Sequence, residues 1–306
     1  MEAYRKKADK RMSLKDAVAT FVKDGSVLAF GGFAGAQCTQ EAYEVIRQAP
    51  KNLTLIGDSP SEQMDMLIGA GLVKKVEVAY CSYALAGLGH NLRRSVEKGI
   101  PHKVEIDDYS NYTMGLRFLA GAMNIPYMPT RSLLGSDIPK HNKRIIETVD
   151  PYEQSPIALV PAARPDVAII HINRCDKKGN SQIFGFTAAN ENIARAAKHT
   201  IITAEEIVPT EKIRQFSNLT LIPEFFVDAV VELPFASHPW NMPYAYAYDI
   251  PFHRQQVKKF ETREGFTEWL DEWVFGCADH EAYRKKVGWE RLKALADVEQ
   301  RFCPKV

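Results

Sequence analysis

Residues 24–35 read DGSVLAFGGFAG, in which Gly31, Gly32 and Gly35 close a short apolar run before Thr39, Gln40 and Glu41 open a helical pattern. Without Cβ atoms the backbone there can approach a ligand closely and offer its N–H groups. The spacing fits neither G-x-G-x-x-G nor a phosphate loop ending in Lys-Ser or Lys-Thr. Asp58 stands near the end of the next apolar run, where a dinucleotide fold holds a ribose, but the glycine spacing that should accompany it is missing. These residues are therefore compatible with a close-approach site and with a purely structural tight turn. Thr39 is placed to cap the helix and aim its positive end at the same spot.

The other reactive side chains form no complete catalytic set. No G-x-S-x-G elbow occurs. Cys38 precedes a helix start, a position that can lower a thiol pKa, but no base accompanies it, and it reads as an ordinary buried thiol. His171 reads as the end of a strand leading into Asn173-Arg174-Cys175-Asp176-Lys177-Lys178-Gly179-Asn180, which lacks metal-ligand spacing and reads as a turn. Glu205 and Glu206 follow a strand at Thr200–Thr203, at the sheet edge where α/β proteins bind ligands, with capping of the next helix as their expected role. His238 reads as an ordered loop histidine. No metal site is expected. A glycine-lined edge without a nucleophile points to a site completed by another chain.

The elements that must position these residues are legible as patterns. Ser13 and Asp16 resemble a capping box ahead of a stripe of Leu14, Ala17, Val18, Phe21 and Val22. Short β-rich runs follow at 27–30, 53–56, 76–80, 157–160, 167–170, 200–203 and 227–231, most of them nearly continuous apolar runs rather than alternations, as in strands covered on both faces. Helical patterns lie between several of them, such as 41–48 and 188–198. The expected fold is α/β: an open, mostly parallel sheet with helices on both faces. Residues 1–260 are assigned to that α/β domain and 261–306 to a C-terminal helical extension packed on it. The proline-punctuated aromatic segment HPWNMPYAYAYDIPFH reads as irregular. Two helices should then close the chain. One carries Phe266, Trp269, Leu270, Trp273 and Val274 as a core stripe, and the other runs from a cap at Asp279 towards Gly288.

Lys and Arg number 39 against 38 Asp and Glu among 306 residues, so no field of one sign recruits nucleic acid or an anionic membrane. The first residues lead into no apolar signal segment, and no run of about 18 apolar residues could span a bilayer. Five widely spaced cysteines without a C-x-x-C pair suit reduced thiols, and the expected location is cytoplasmic. The basic run Arg5, Lys6, Lys7, Lys10, Arg11 reads as a solvated terminus. The hexapeptide EAYRKK at 2–7 and again at 281–286 reads as coincidence.

DGSVLAFGGFAG resembles the A-type subunit signature of the class I coenzyme A-transferases, an Asp/Asn-Gly pair before a strand ending Gly-Gly-Phe. DMLIGAGLVKKV (65–76), IPYMPTRSLLGSD (125–137), PDVAIIHINRCDKKGN (165–180), HTIITAEEIVPTEKIR (199–214), FVDAVVELPFASHP (226–239) and EWVFGCADHEAYRKKVG (272–288) extend the resemblance over nearly the whole chain. It is strongest towards the α subunit of glutaconate CoA-transferase.

The resemblance implies a hetero-oligomer with a related B-type subunit, A2B2 or larger, and an active site at the interface between the two types. A glutamate of the B-type subunit, often within Ser-Glu-Asn-Gly, would attack the acyl-CoA thioester and later carry CoA as a glutamyl thioester. That motif is absent here, Asn190-Glu191-Asn192 being the nearest string, so the catalytic nucleophile is expected on the partner. Coenzyme A would be a substrate, with no tightly bound cofactor. Gly31, Gly32, Phe33 and Gly35 are expected to line the CoA and oxyanion site, and the segments 58–63 and 80–89 to select the acyl group, with Ser59, Ser61, Tyr80, Ser82 and Tyr83 as pocket candidates. Where the signature continues to Gly-x-Pro, this chain reads Ala36-Gln37-Cys38-Thr39, which puts its acyl specificity apart. The same scaffold also serves ring-opening acyl-CoA hydrolases of steroid breakdown and glutaconyl-CoA-type decarboxylases. Those activities, and a non-catalytic CoA-binding partner, are the alternatives. A nicotinamide-dependent reductase is the most distant.

Overall fold

The computed structural model describes residues 7–302. The chain opens with helix α1 (Leu14–Phe21), capped by the Ser13 hydroxyl, which accepts the Asp16 N–H at 3.0 Å. Strands and helices then alternate: β1 (Val27–Phe30), α2 (Thr39–Gln48), β2 (Leu53–Gly57), α3 (Ser61–Gly69), β3 (Val73–Val78), α4 (His90–Lys98), β4 (Glu105–Asp108) and α5 (Asn111–Ala122). A smaller unit follows, of β5 (Tyr127–Thr130), the single turn α6 (Ile138–His141), β6 (Ile146–Val149) and β7 (Pro156–Pro161). The chain returns through β8 (Val167–Cys175), β9 (Ser181–Gln182), α7 (Asn190–Ala196), β10 (His199–Ile207), α8 (Thr210–Gln215), β11 (Thr220–Ile222) and β12 (Ala229–Glu232). It closes with α9 (Ile250–Phe260), α10 (Arg263–Trp269), a π-helical turn at Leu270–Phe275, α11 (His280–Val287) and α12 (Trp289–Phe302).

The main sheet is largely parallel, its parallel strands in the order β4-β3-β2-β1-β8-β10-β12. The short β9 and β11 add antiparallel pairing at the end of β8. From β1 the chain winds outward through β2, β3 and β4, then returns to the other side of β1 to build β8, β10 and β12. The direction of winding therefore reverses between β1 and β8, and in open α/β sheets the crevice at the carboxyl ends of such a strand pair is where ligands bind.

Both faces of the sheet are buried, which explains the continuous apolar runs. Along β8 the residues alternate: Val167 and Ile169 join a cluster with α1, α2, α3 and the C-terminal helices, whereas Ala168, Ile170 and Ile172 join one with α5 and α7. The C-terminal aromatics are core, as expected from their spacing. Phe260, Phe266 and Trp269 are buried in the first cluster, and Trp273 stacks on Trp269 with ring centroids 5.4 Å apart.

Three expectations are corrected. Residues 157–160 belong to β7, the centre of a separate antiparallel sheet ordered β5-β7-β6, and not to the main sheet. The connection from β6 to β7, closed by Asp150 N–H on the Ser155 carbonyl at 2.8 Å, is too short for a crossover and leaves only antiparallel pairing. Among the described residues four α-helices, not two, follow residue 249, because Thr262 caps a new helix through the Gly265 N–H and Gly288, at φ +99°, breaks the chain before α12. Finally, Lys10 is buried, its ammonium donating to the Glu224 carbonyl at 2.6 Å, so the basic run is not wholly solvated. Arg5, Lys6, most of the first EAYRKK copy and Cys303 lie outside the described residues. No described helix is long and apolar enough to cross a membrane.

A buried ion pair ties the small sheet to the large one. Arg117 on α5 is fully buried, donates to Glu77 on β3 at 2.5 Å and to the Pro161 carbonyl at 2.9 Å, and stacks 4.0 Å over the Tyr109 ring. Glu77 also receives Arg144, whereas Arg117 has no second carboxylate among the described residues. Removing Glu77 thus strands a buried guanidinium, but removing Arg117 leaves Glu77 paired. Urea denaturation of Glu77→Leu should show a loss of about 3–5 kcal/mol, clearly larger than that of Arg117→Met. Equal losses would contradict this asymmetry.

Candidate functional site

The glycine loop leaves the carboxyl end of β1 at the strand reversal. The Gly31 N–H extends the ladder to the Ile169 carbonyl at 2.8 Å. Gly32 sits at φ +91°, and a Cβ there would lie 2.5 Å from the Ala36 carbonyl oxygen, so only glycine fits. Its N–H donates to the Asn190 side-chain oxygen at 3.0 Å. The Phe33 N–H donates to the Gly35 carbonyl at 3.1 Å, and that of Ala36 to the Asn241 carbonyl at 2.9 Å. The Phe33 ring packs on Phe186 across the reversal, with centroids 5.4 Å apart.

This geometry redistributes the expected donors. The N–H groups of Gly31, Gly32 and Phe33 are engaged within the chain and hold the loop in shape. Ala34 and Gly35 carry the amides that make no hydrogen bond among the described residues, and exposed Ala34 adopts φ +54°.

Neighbouring loops are stitched to this one. Gln37 reaches the Ser59 carbonyl and Gln63 the Gly31 carbonyl, both at the limiting distance of 3.5 Å, and the Cys81 thiol lies 3.7 Å from the Ser61 carbonyl. Ser59 and Ser61 therefore stand beside the glycine loop at the start of α3. Asp58 accepts the Ser59 N–H at 2.8 Å, and burial raises its carboxyl pKa. Tyr80 lies on the rim, 45% exposed, as do Leu88 and Phe186. Ser82 is spent in a turn, donating to the Gly87 carbonyl at 2.7 Å. Tyr83 is fully buried with its hydroxyl on Asp65 at 2.8 Å, so it cannot line an acyl pocket.

Several other sequence expectations change. Thr39 does not cap α2; its hydroxyl donates to the Ser237 carbonyl at 3.3 Å, and the helix start has no side-chain cap. Cys38 is the buried thiol expected, its pKa pushed well up by burial and by the charge of Glu41. His171 lies inside β8 rather than at its end, bonded to Thr203 at 2.9 Å and to Glu205 at 2.7 Å. Burial opposes its charge, but the hydrogen bond to Glu205 and the nearby carboxylates outweigh it and raise its pKa. Glu205 and Glu206 are within β10 and cap no helix; Glu205 accepts from His171 and from the Phe235 N–H. His238 is an ordered loop histidine, between Tyr283 at 2.7 Å and Asp249 at 3.0 Å. No cluster of metal-ligating side chains occurs among the described residues.

Asn190 and Asn241 contact the glycine loop from positions distant in sequence, and nothing in their local pattern marks them for that role.

A family model described as coenzyme A transferase matches residues 11–233. An uncharacterised protein of Archaeoglobus fulgidus is 45% identical over 97% of this chain, which spans 66% of that relative's length. The A subunit of the 3-oxoadipate CoA-transferase of Pseudomonas knackmussii is 36% identical over 90% of this chain and 97% of its own. The crystal structure of glutaconate coenzyme A-transferase from Acidaminococcus fermentans superposes with a TM-score of 0.86 at 32% identity, covering 94% of this chain and 95% of the other.

Asp65 anchors the rim loop. Its carboxylate, fully buried on α3, accepts from the Tyr83 hydroxyl, from Asn91 at 2.9 Å and from the Leu92 N–H at 2.8 Å. Burial nonetheless pushes its pKa up to about 6 from 3.8. The native state then holds this proton more tightly than the unfolded chain. The associated stability is complete below about pH 4 and is lost as pH rises through about 6, a decline of about 3 kcal/mol. Urea denaturation across this range should show the stability of the parent falling by about that amount relative to Asp65→Asn. Parallel profiles would refute it.

Proposed function

Because this chain belongs to the coenzyme A transferase family, we propose that it is the A-type subunit of a hetero-oligomeric class I CoA-transferase that moves CoA between carboxylic, or dicarboxylic, acids. The observation that carries this reading is the match to an A-type protein along almost its entire length, joined to a glycine loop at the sheet's reversal point. Glu41, Glu62 and Asp65, on the helices that follow β1 and β2, are fully buried, and Glu44 on α2 and Glu191 on α7 are paired with Arg47 and Arg195, so none is a free carboxylate beside the loop. A nucleophile supplied by a B-type partner suits this arrangement.

In the proposed reaction a glutamate of the partner attacks the thioester carbonyl. The tetrahedral oxyanion collapses with cleavage of the C–S bond, giving an acyl anhydride and CoA thiolate. The thiolate attacks the glutamyl carbonyl and releases the first acid, leaving a glutamyl-CoA thioester. The acceptor carboxylate attacks the glutamyl carbonyl and expels CoA thiolate as a second anhydride forms; the thiolate then attacks the acceptor's acyl carbonyl and releases the glutamate, giving the new acyl-CoA. Fixed donors aimed at the oxyanion supply most of what the nucleophile-free chain can add. Here the Ala34 and Gly35 amides serve that role, held by the Gly32–Asn190 bond, while the buried Ser59 and Ser61 back the loop beside the acyl group. Tyr80, Leu88 and Phe186 form the apolar rim that meets the partner.

Co-expression with the B-type partner, then incubation with acyl-CoA and borohydride, should reduce a partner glutamate and block transfer. Thioester loss without an acceptor acid would indicate a hydrolase, release of CO2 a decarboxylase, and no turnover a non-catalytic partner. Gly32→Val should lower transfer about 100-fold or more while the heteromeric complex still forms, because the loop loses its donor geometry. Retained activity would remove the loop from the mechanism.

A further inference from the structure

Five buried side-chain polar atoms without a hydrogen-bond partner belong to four residues lining one crevice: both amide atoms of Gln40, Nη2 of Arg47, Nδ1 of His280 and Nε of Arg284. The crevice has a volume of about 730 Å³, within the range of small-molecule sites. It lies where the carboxyl ends of β10 and β12 meet α2 and the first turns of α11. Gln40, Glu44 and Arg47 follow one face of α2, and His280 and Arg284 one face of α11. Buried polar groups are ordinarily paired, so a concentration of unpaired ones in one crevice calls for an occupant.

The chemistry of the free atoms defines that occupant. Arg47 spends Nε on the Val274 carbonyl and Nη1 on Glu44, leaving Nη2. Arg284 spends Nη2 on Glu281, leaving Nε. The carboxylates of the crevice are already used: Glu44 on Arg47 and Gln48, Glu281 on Arg284, Asp279 on the Ala282 N–H and Glu232 on the Ile207 N–H. His280 Nε2 lies 2.6 Å from the Pro234 carbonyl, which can only accept, so Nε2 carries the proton and Nδ1 presents a lone pair. Burial lowers the His280 pKa to about 4, which keeps the ring neutral. Lys15, also lining the crevice, has no side-chain partner among the described residues. The unmatched set is thus cationic N–H donors with two acceptors.

We propose that this crevice binds a small oxyanion that also carries a hydroxyl, in a site separate from the glycine loop. Arg47, Arg284 and the Gln40 amide nitrogen donate to the anionic oxygens, and the ligand's hydroxyl donates to His280 Nδ1 or the Gln40 oxygen. Monohydrogen phosphate and a hydroxycarboxylate such as malate share this chemistry.

The test is calorimetric titration of the full chain, in buffer free of both, with inorganic phosphate and separately with malate. Saturable one-site binding of at least one is expected, weakened about tenfold or more in both Gln40→Leu and Arg284→Met. Gln40→Leu exchanges an unpaired amide for an apolar group of similar size, so its circular dichroism and urea midpoint should match or exceed the parent's. Which anion binds distinguishes a phosphate from a carboxylate site. Absence of saturable heat with both, or isotherms unchanged in both variants, would mean that water alone fills the crevice and would overturn the proposal.

Discussion

The hydrogen bond from the Gly32 amide to Asn190 joins the two halves of the sheet at their point of reversal. Gly32 has no room for a side chain, because a Cβ would meet the Ala36 carbonyl at 2.5 Å. A Cβ on Gly31 would likewise lie 2.5 Å from the Asn190 side-chain oxygen. The loop from β1 is therefore pressed against the start of α7, which lies 158 residues further along the chain. Everything proposed for the site depends on this contact: which amides are consumed, which are left for a ligand, and how Phe33 comes to rest on Phe186.

Around that contact the protein fixes its loops with buried polar groups rather than with apolar packing alone. Gln37 and Gln63 bridge the loops after β1 and β2, and Asp65 holds the loop after β3 through Tyr83 and Leu92. Glu62 accepts from Trp240 and Gln256, joining the same helix to the C-terminal segment. A charge buried in this way costs solvation free energy but restricts its partners to a few geometries, which suits a scaffold that must present backbone donors at fixed positions. The ion pair of Glu77 with Arg117 does the same for the small antiparallel sheet.

Much of the fold was legible because burial on both faces leaves a simple trace. Residues 27–30 and 167–170 are continuously apolar and 53–56 nearly so, and all lie in parallel strands flanked by helices. The same signal misplaced residues 157–160, since a short apolar run says that a strand is covered and not which sheet covers it. At the site, the glycines announced a tight approach, and Ser59 and Ser61 were found beside them. Tyr83 was misread because its neighbours in sequence face the rim while its own hydroxyl turns inward to Asp65.

Composition, periodicity and short motifs account for the alternation of strands and helices, the glycine turn, the lack of a local nucleophile motif and the family resemblance. All of these are set by contacts within a few residues, so they can be read along the chain. Long-range packing chose which amides of the turn remain free, paired Glu205 with His171, and brought Gln40, Arg47, His280 and Arg284 to one crevice. Each of those depends on segments far apart along the chain. A hydrogen bond is satisfied by whatever group folding brings within reach, and local sequence carries no record of that partner.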